Sequence, residues 1–161
     1  MPNPPKPRDR SRRRGTRALI EPSDVRAYLL EKSASIAPAD IDALLDQRQE
    51  VLDKAAAAGV EHPLFQRQVK VAVMLLEDHA SGEASQIPYS TVSLLAVAFL
   101  YLLQPLGLIP DFIPGVGMSD DALVFELACE LGSDGLERYC LWKEIPIESV
   151  LGRPMSVPRK R

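Results

Sequence analysis

The segment VSLLAVAFLYLL, residues 92–103, does most to limit what this chain can fold into. It holds twelve apolar or small residues with a single serine, so no polar face can be drawn on it as a helix. A helix that is apolar all round must be covered on every side, by other helices at the centre of a bundle or by lipid. The charge-free stretch around it is longer, from Ala84 to Pro110, twenty-seven positions, which is enough to cross a bilayer. Two observations oppose a crossing. The uninterrupted apolar run stops at Gln104 and Pro105, a length more typical of a core helix or a re-entrant segment. The flanks also carry no basic anchor: between Lys70 and Arg138 there is no Lys or Arg, and ten acids fall in that interval, whereas membrane segments normally draw on basic neighbours. The charge pattern favours a helix buried in protein.

The rest of the chain supplies helices that could cover it, and no strand-like alternation stands out. Ser23 is an N-cap candidate for a helix running to about Ser35, with Asp24 in its first turn. Pro38 suits the first turn of a second helix, which should end at Gly59. Pro63 opens a third, with Gly82 as its C-terminal stop. The fourth is the apolar helix itself, from about Pro88 to Leu103. Ser119 reads as the N-cap of a fifth, where Asp120 and Asp121 complement the helix dipole, and this one continues to Gly132. A sixth runs from about Asp134 to Glu144, and the end of the chain looks loose. The fold class is therefore all-α, a small bundle of about six helices.

Charge is distributed unevenly. Residues 1–17 carry a net +6, residues 18–152 a net −13 and residues 153–161 a net +4. The first tail, MPNPPKPRDRSRRRGTR, is too poor in apolar residues to offset the entropy of ordering, so it is expected to be a disordered arm. It has no apolar h-region of a secretory signal. Arg12, Arg13 and Arg14 could meet an anionic membrane surface or an acidic protein. Nucleic acid is the less favoured partner, because the acidic body would repel phosphate and aromatic content is only 6%. Cys129 and Cys140 form neither a zinc pattern nor a disulfide framework and are expected to be buried thiols.

Beyond the apolar helix lies QPLGLIPDFIPGVGMSDD, residues 104–121. Each proline fixes its own φ and pushes the residue before it, Gln104, Ile109 or Ile113, towards extended geometry, so the helix must stop or kink there. Gly115 and Gly117 permit backbone approaches that a side chain would forbid. The segment reads as a rigid corner whose apolar residues pack inward and whose Asp111 accepts from nearby amides, as in an Asx turn. A hard-cation site of Asp111, Asp120 and Asp121 is the sharper alternative, although the spacing fits no EF-hand. Glu77, Asp78 and His79 are consecutive on a helix, so they fan across its surface instead of converging. His62 reads as a cap or surface residue. No metalloprotease, nucleophile-elbow or phosphate-cradling motif is present, and neither a catalytic residue nor a cofactor is nominated.

The corner and its flanks resemble the signature of the domain of unknown function 1232 family, the YkvA-like bacterial proteins, through Tyr101, Leu102, Pro105, Ile109, Pro110, Asp111, Pro114, Gly117, Asp120 and Asp121. The likeness covers Leu95 to Phe125. Where the family usually has a further acid, this chain has Gly107, which weakens a cation-binding reading. The resemblance implies a hairpin made of the hydrophobic helix, the Pro-rich turn and a helix with an acidic start. It also implies membrane association, and it supplies no reaction. The chain then divides into a basic arm (1–17), N-terminal helices (18–83), a YkvA-like hairpin core (84–145) and a loose basic tail (146–161). The functional expectation is a non-enzymatic, membrane-associated or scaffold protein. The alternative is a soluble, cytoplasmic, helical interaction module, oligomeric or not, whose arm meets an acidic partner or nucleic acid.

Overall fold

A computed structural model describes residues 21–58, 61–103 and 117–152, without the side chains of 117–120. Among these residues there are eight helices and no strand: α1 (Pro22–Ser33), α2 (Pro38–Leu45), α3 (Arg48–Ala58), α4 (Pro63–Ala80), α5 (Tyr89–Leu103), α6 (Gly117–Leu131), α7 (Ser133–Lys143) and α8 (Glu148–Leu151). The all-α expectation holds, with two more helices than read from the sequence.

The apolar helix is α5, and it lies at the centre of the bundle. Eleven of its fifteen residues are buried. It packs against α1, α4 and α6, while α2, α3 and α7 add further cover. Its neighbours bury apolar residues in the same core, including Val25 and Leu29 of α1 and Leu75 and Leu76 of α4. Among the described residues no helix is long and apolar enough to cross a membrane.

The helix ends show where local chemistry was read correctly and where it was not. At α4 the expected stop at Gly82 forms in full: Gly82 has φ +85°, its N–H donates to the His79 carbonyl at 3.1 Å, and the Glu83 N–H donates to the Asp78 carbonyl at 2.9 Å. This is a Schellman pair, which needs a left-handed residue just past the helix. At α1, Ser23 is not the cap. Pro22 occupies the first turn and Glu21 takes the capping position, because proline lacks the N–H that would be orphaned there anyway. Likewise α6 begins at Gly117, which puts Ser119 inside the first turn.

The second predicted helix is in fact two, α2 and α3, divided at Asp46 and Gln47, where the Gln47 N–H bonds to the Leu44 carbonyl at 2.9 Å. Leu44 and Val51 are seven positions apart and both buried, so the apolar stripe keeps its phase across the break. Periodicity alone could not reveal it. The end of the chain is also less loose than expected as far as Gly152. Helix α8 docks on α4, where Arg67 Nε donates to the Ser149 carbonyl at 2.8 Å and buried Gln68 Nε2 donates to the Val150 carbonyl at 2.9 Å.

Candidate functional site

In the chain, the residues singled out by sequence run from the last turn of α5 to the start of α6, and these two helices pack closely as a hairpin. Tyr101, in the last turn of α5, is fully buried and meets Tyr28 of α1 edge-on, with ring centroids 6.2 Å apart and planes at 72°. Asp121, in the second turn of α6, is buried as well. Gly117 is the first residue of α6 and Asp120 follows in its first turn. Pro105, Pro110, Asp111 and Pro114 lie outside the described residues, and so does the Asx turn expected at Asp111. Of the three carboxylates weighed as a cation site, Asp121 is the one whose side chain is described. Among the described residues no group of three or more His, Cys, Asp or Glu converges as a metal site.

Reading the segment by itself missed how the end of α5 is supported. The hairpin sequence has no Lys or Arg of its own, yet Lys54 reaches across from α3 and donates from Nζ to the Leu102 carbonyl at 3.0 Å. A positive charge at a helix C-terminus satisfies an orphan carbonyl and complements the dipole. Glu50, one turn earlier on α3, lies 3.8 Å from the same ammonium. The donor is 48 positions from its acceptor, so no local pattern could announce it.

A second polar cluster ties α7 to the end of α4. Asp78 accepts from the Tyr139 hydroxyl at 2.6 Å and pairs with Lys143 Nζ at 2.9 Å. Burial, followed by the hydrogen bond to Asp78, pushes the Tyr139 hydroxyl pKa far up, so it remains a donor. Glu77 pairs instead with Arg48 at 3.5 Å, and the half-buried His79 ring leans on Tyr89 with centroids 5.5 Å apart. The three consecutive residues do fan out, as expected, but each meets a partner on another helix. His62 occupies the capping position of α4 without a side-chain cap bond.

The two cysteines are free and buried, as expected. Burial raises the Cys129 thiol to about 12 and the Cys140 thiol to about 11. Both are thus thiols, not reactive thiolates, at neutral pH.

Helix α7 lies so close to α5 that only glycine fits at the crossing. A Cβ on Gly135 would stand 2.7 Å from Thr91 Cβ. Thr91 is itself buried. The inward face of α7 is Leu136, Tyr139 and Cys140. That leaves Leu141 80% and Trp142 42% exposed. The spacing of those inward residues was the available signal, since 141 and 142 fall off the stripe they define.

Comparison with known proteins places this hairpin. The family model described as protein of unknown function (DUF1232) matches residues 91–127, from the first turn of α5 to most of the way along α6. The protein named uncharacterized membrane protein YkvA, from Bacillus subtilis (strain 168), is 38% identical over 69 residues, which cover 43% of this chain and 65% of that protein. The matched region thus spans less than two thirds of that relative's length. No solved structure matches. Over the α5–α6 hairpin, the chain is similar to the DUF1232, YkvA-like family.

Proposed function

We propose that the protein is a non-enzymatic helical scaffold that works at a membrane surface, with the α5–α6 hairpin serving as an internal packing element and not as a span. The observation that carries this reading is the enclosure of α5 by its own chain, with eleven of fifteen residues buried. A helix of fifteen residues rises about 22 Å, short of the roughly 30 Å of hydrocarbon in a bilayer. Support for a membrane comes from the name borne by the relative and from the basic tails of +6 and +4 on a body of −13. Arg12, Arg13 and Arg14 would contribute about 1 kcal/mol each beside anionic headgroups, and the attraction would be screened by salt.

Co-sedimentation of the full chain with phosphatidylserine-containing vesicles, and with neutral phosphatidylcholine vesicles, tests the reading. The expected result is pelleting with the anionic vesicles, loss at high salt, and weakening when Arg12, Arg13 and Arg14 are replaced by Gln. A chain that stays in the supernatant with every vesicle would refute the membrane role. It would favour the second reading, an interaction module whose arm meets an acidic protein. The specific observation behind that alternative is the absence of Lys and Arg from residues 71–137.

A further inference from the structure

We infer that the C-terminal turn of α7 is an interfacial anchor, seating Leu141 and Trp142 at the boundary between headgroups and acyl chains of a bilayer. This inference rests on the membrane-surface reading above and assigns to it a particular contact. Leu141 and Trp142 are consecutive, large and apolar, and they stand 80% and 42% exposed on a helix whose other apolar residues face inward. The indole is held in place. Tyr139 meets it edge-on at 5.8 Å, with planes at 73°, and Lys143 Nζ sits 4.3 Å from its ring centroid. Trp is favoured at membrane interfaces because one part of the ring is apolar and its N–H is polar.

Area and charge both select lipid as the occupant. Two side chains expose at most a few hundred Å², whereas a stable protein partner buries roughly 800 Å² on each side. Membrane anchoring, in contrast, works by adding a small apolar insertion to an electrostatic attraction. The attraction is available from the tails, +6 and +4. Around the patch, Lys143 neutralises Asp78 at 2.9 Å. Exposed Arg138 is set against exposed Asp134, Glu137 and Glu144, so the helix carries a small net negative charge, which the positive charge of the two tails exceeds.

Trp142 is the only tryptophan of the chain, so its fluorescence reports on this site alone. The full chain is titrated with phosphatidylcholine–phosphatidylserine vesicles while emission and pelleting are followed together, then with vesicles carrying brominated acyl chains. The expected result is a blue shift, quenching by the bromolipid, and about tenfold weaker partitioning for Leu141→Asp, the loss of roughly one interfacial leucine. Leu141 is exposed, and unchanged far-UV circular dichroism would show that this variant remains folded. Pelleting with unshifted, unquenched emission would overturn the anchor while leaving membrane association through the arm intact. Failure to pellet with any vesicle would overturn both. A blue shift that grows with protein concentration in the absence of vesicles would also overturn it, because a second copy of the chain would then cover the patch.

Discussion

Replacing Gly135 by alanine sets two effects of opposite sign against each other. Gly135 lies within α7, where alanine is worth about 1 kcal/mol over glycine in helix propensity. The added methyl carbon would stand 2.7 Å from Thr91 Cβ and 3.0 Å from Thr91 Cγ2, with Thr91 Oγ1 nearer still. Rotating the threonine cannot relieve contact with its own Cβ, so α7 must move off α5 by several tenths of an ångström. Overpacking of that kind costs about 1–3 kcal/mol, and contacts this short, in a bundle whose centre is already buried on all sides, put it in the upper part of that range, about 2–3 kcal/mol. The net expectation is a loss of about 1–2 kcal/mol. For a chain of this size that corresponds to a Tm lower by about 2–8 °C. Urea unfolding followed by circular dichroism should show a lower midpoint with an unchanged m-value. Adding Thr91→Ala removes Oγ1 and Cγ2 but leaves Cβ, so it should recover part of the loss, with a coupling above about 0.5 kcal/mol. A Tm for Gly135→Ala equal to or above that of the parent would refute the close α5–α7 crossing.

Lys54→Met should lower stability by about 1 kcal/mol, measurable as a shift in urea midpoint, because the Leu102 carbonyl at the end of α5 loses its donor. Asp78→Ala leaves both the Tyr139 hydroxyl and Lys143 without their acceptor and should cost about 2–3 kcal/mol; a Tm within one degree of the parent would show the cluster to be energetically idle. The cysteines give a pH dependence of definite sign. Cys129 is raised from 9.0 to about 12 by burial, so between those values the unfolded chain has lost a proton that the folded chain keeps. Stability contributed by this difference is present below pH 9 and declines above it. Urea midpoints should fall from pH 8 to pH 10.5 more steeply in the parent than in Cys129→Ala. At pH 8, thiol reagents should label native protein slowly and unfolded protein at once.

What could be read from sequence was set by how local its cause is. The central helix was legible because twelve apolar positions in a row leave no other place for residues 92–103 than an enclosed one. The stop at Gly82 was legible because a left-handed residue past a helix is a local requirement. The division of α2 from α3 was hidden, since the stripe from Leu44 to Val51 continues in phase through the break. The cap at Ser23 was misread because Pro22 competes for the first turn more effectively than serine competes for the capping position. At the hairpin, Tyr101 and Asp121 were singled out and are both buried there. Lys54, which supports the same place, comes from another helix. Asp78 was correctly seen as one of three residues that diverge. That it would find Tyr139 and Lys143 depends on the packing of α7 on α5 and α6, which no spacing within either segment encodes. Leu141 and Trp142 fall within the helix read from about Asp134 to Glu144, and their exposure follows once Leu136, Tyr139 and Cys140 are recognised as the inward stripe.

Whether residues 92–103 lie in protein or in lipid is decided most directly by fractionation. Cells expressing the full chain without detergent are lysed and ultracentrifuged, and the membrane pellet is washed with high salt and then with alkaline carbonate. A helix enclosed by its own chain, with contact to the bilayer only through the arm and the α7 anchor, should leave the membranes in the salt or carbonate wash as a folded species. Retention in carbonate-washed membranes, with release only by detergent, would mean that α5 is inserted in the bilayer and would contradict its place at the centre of the bundle.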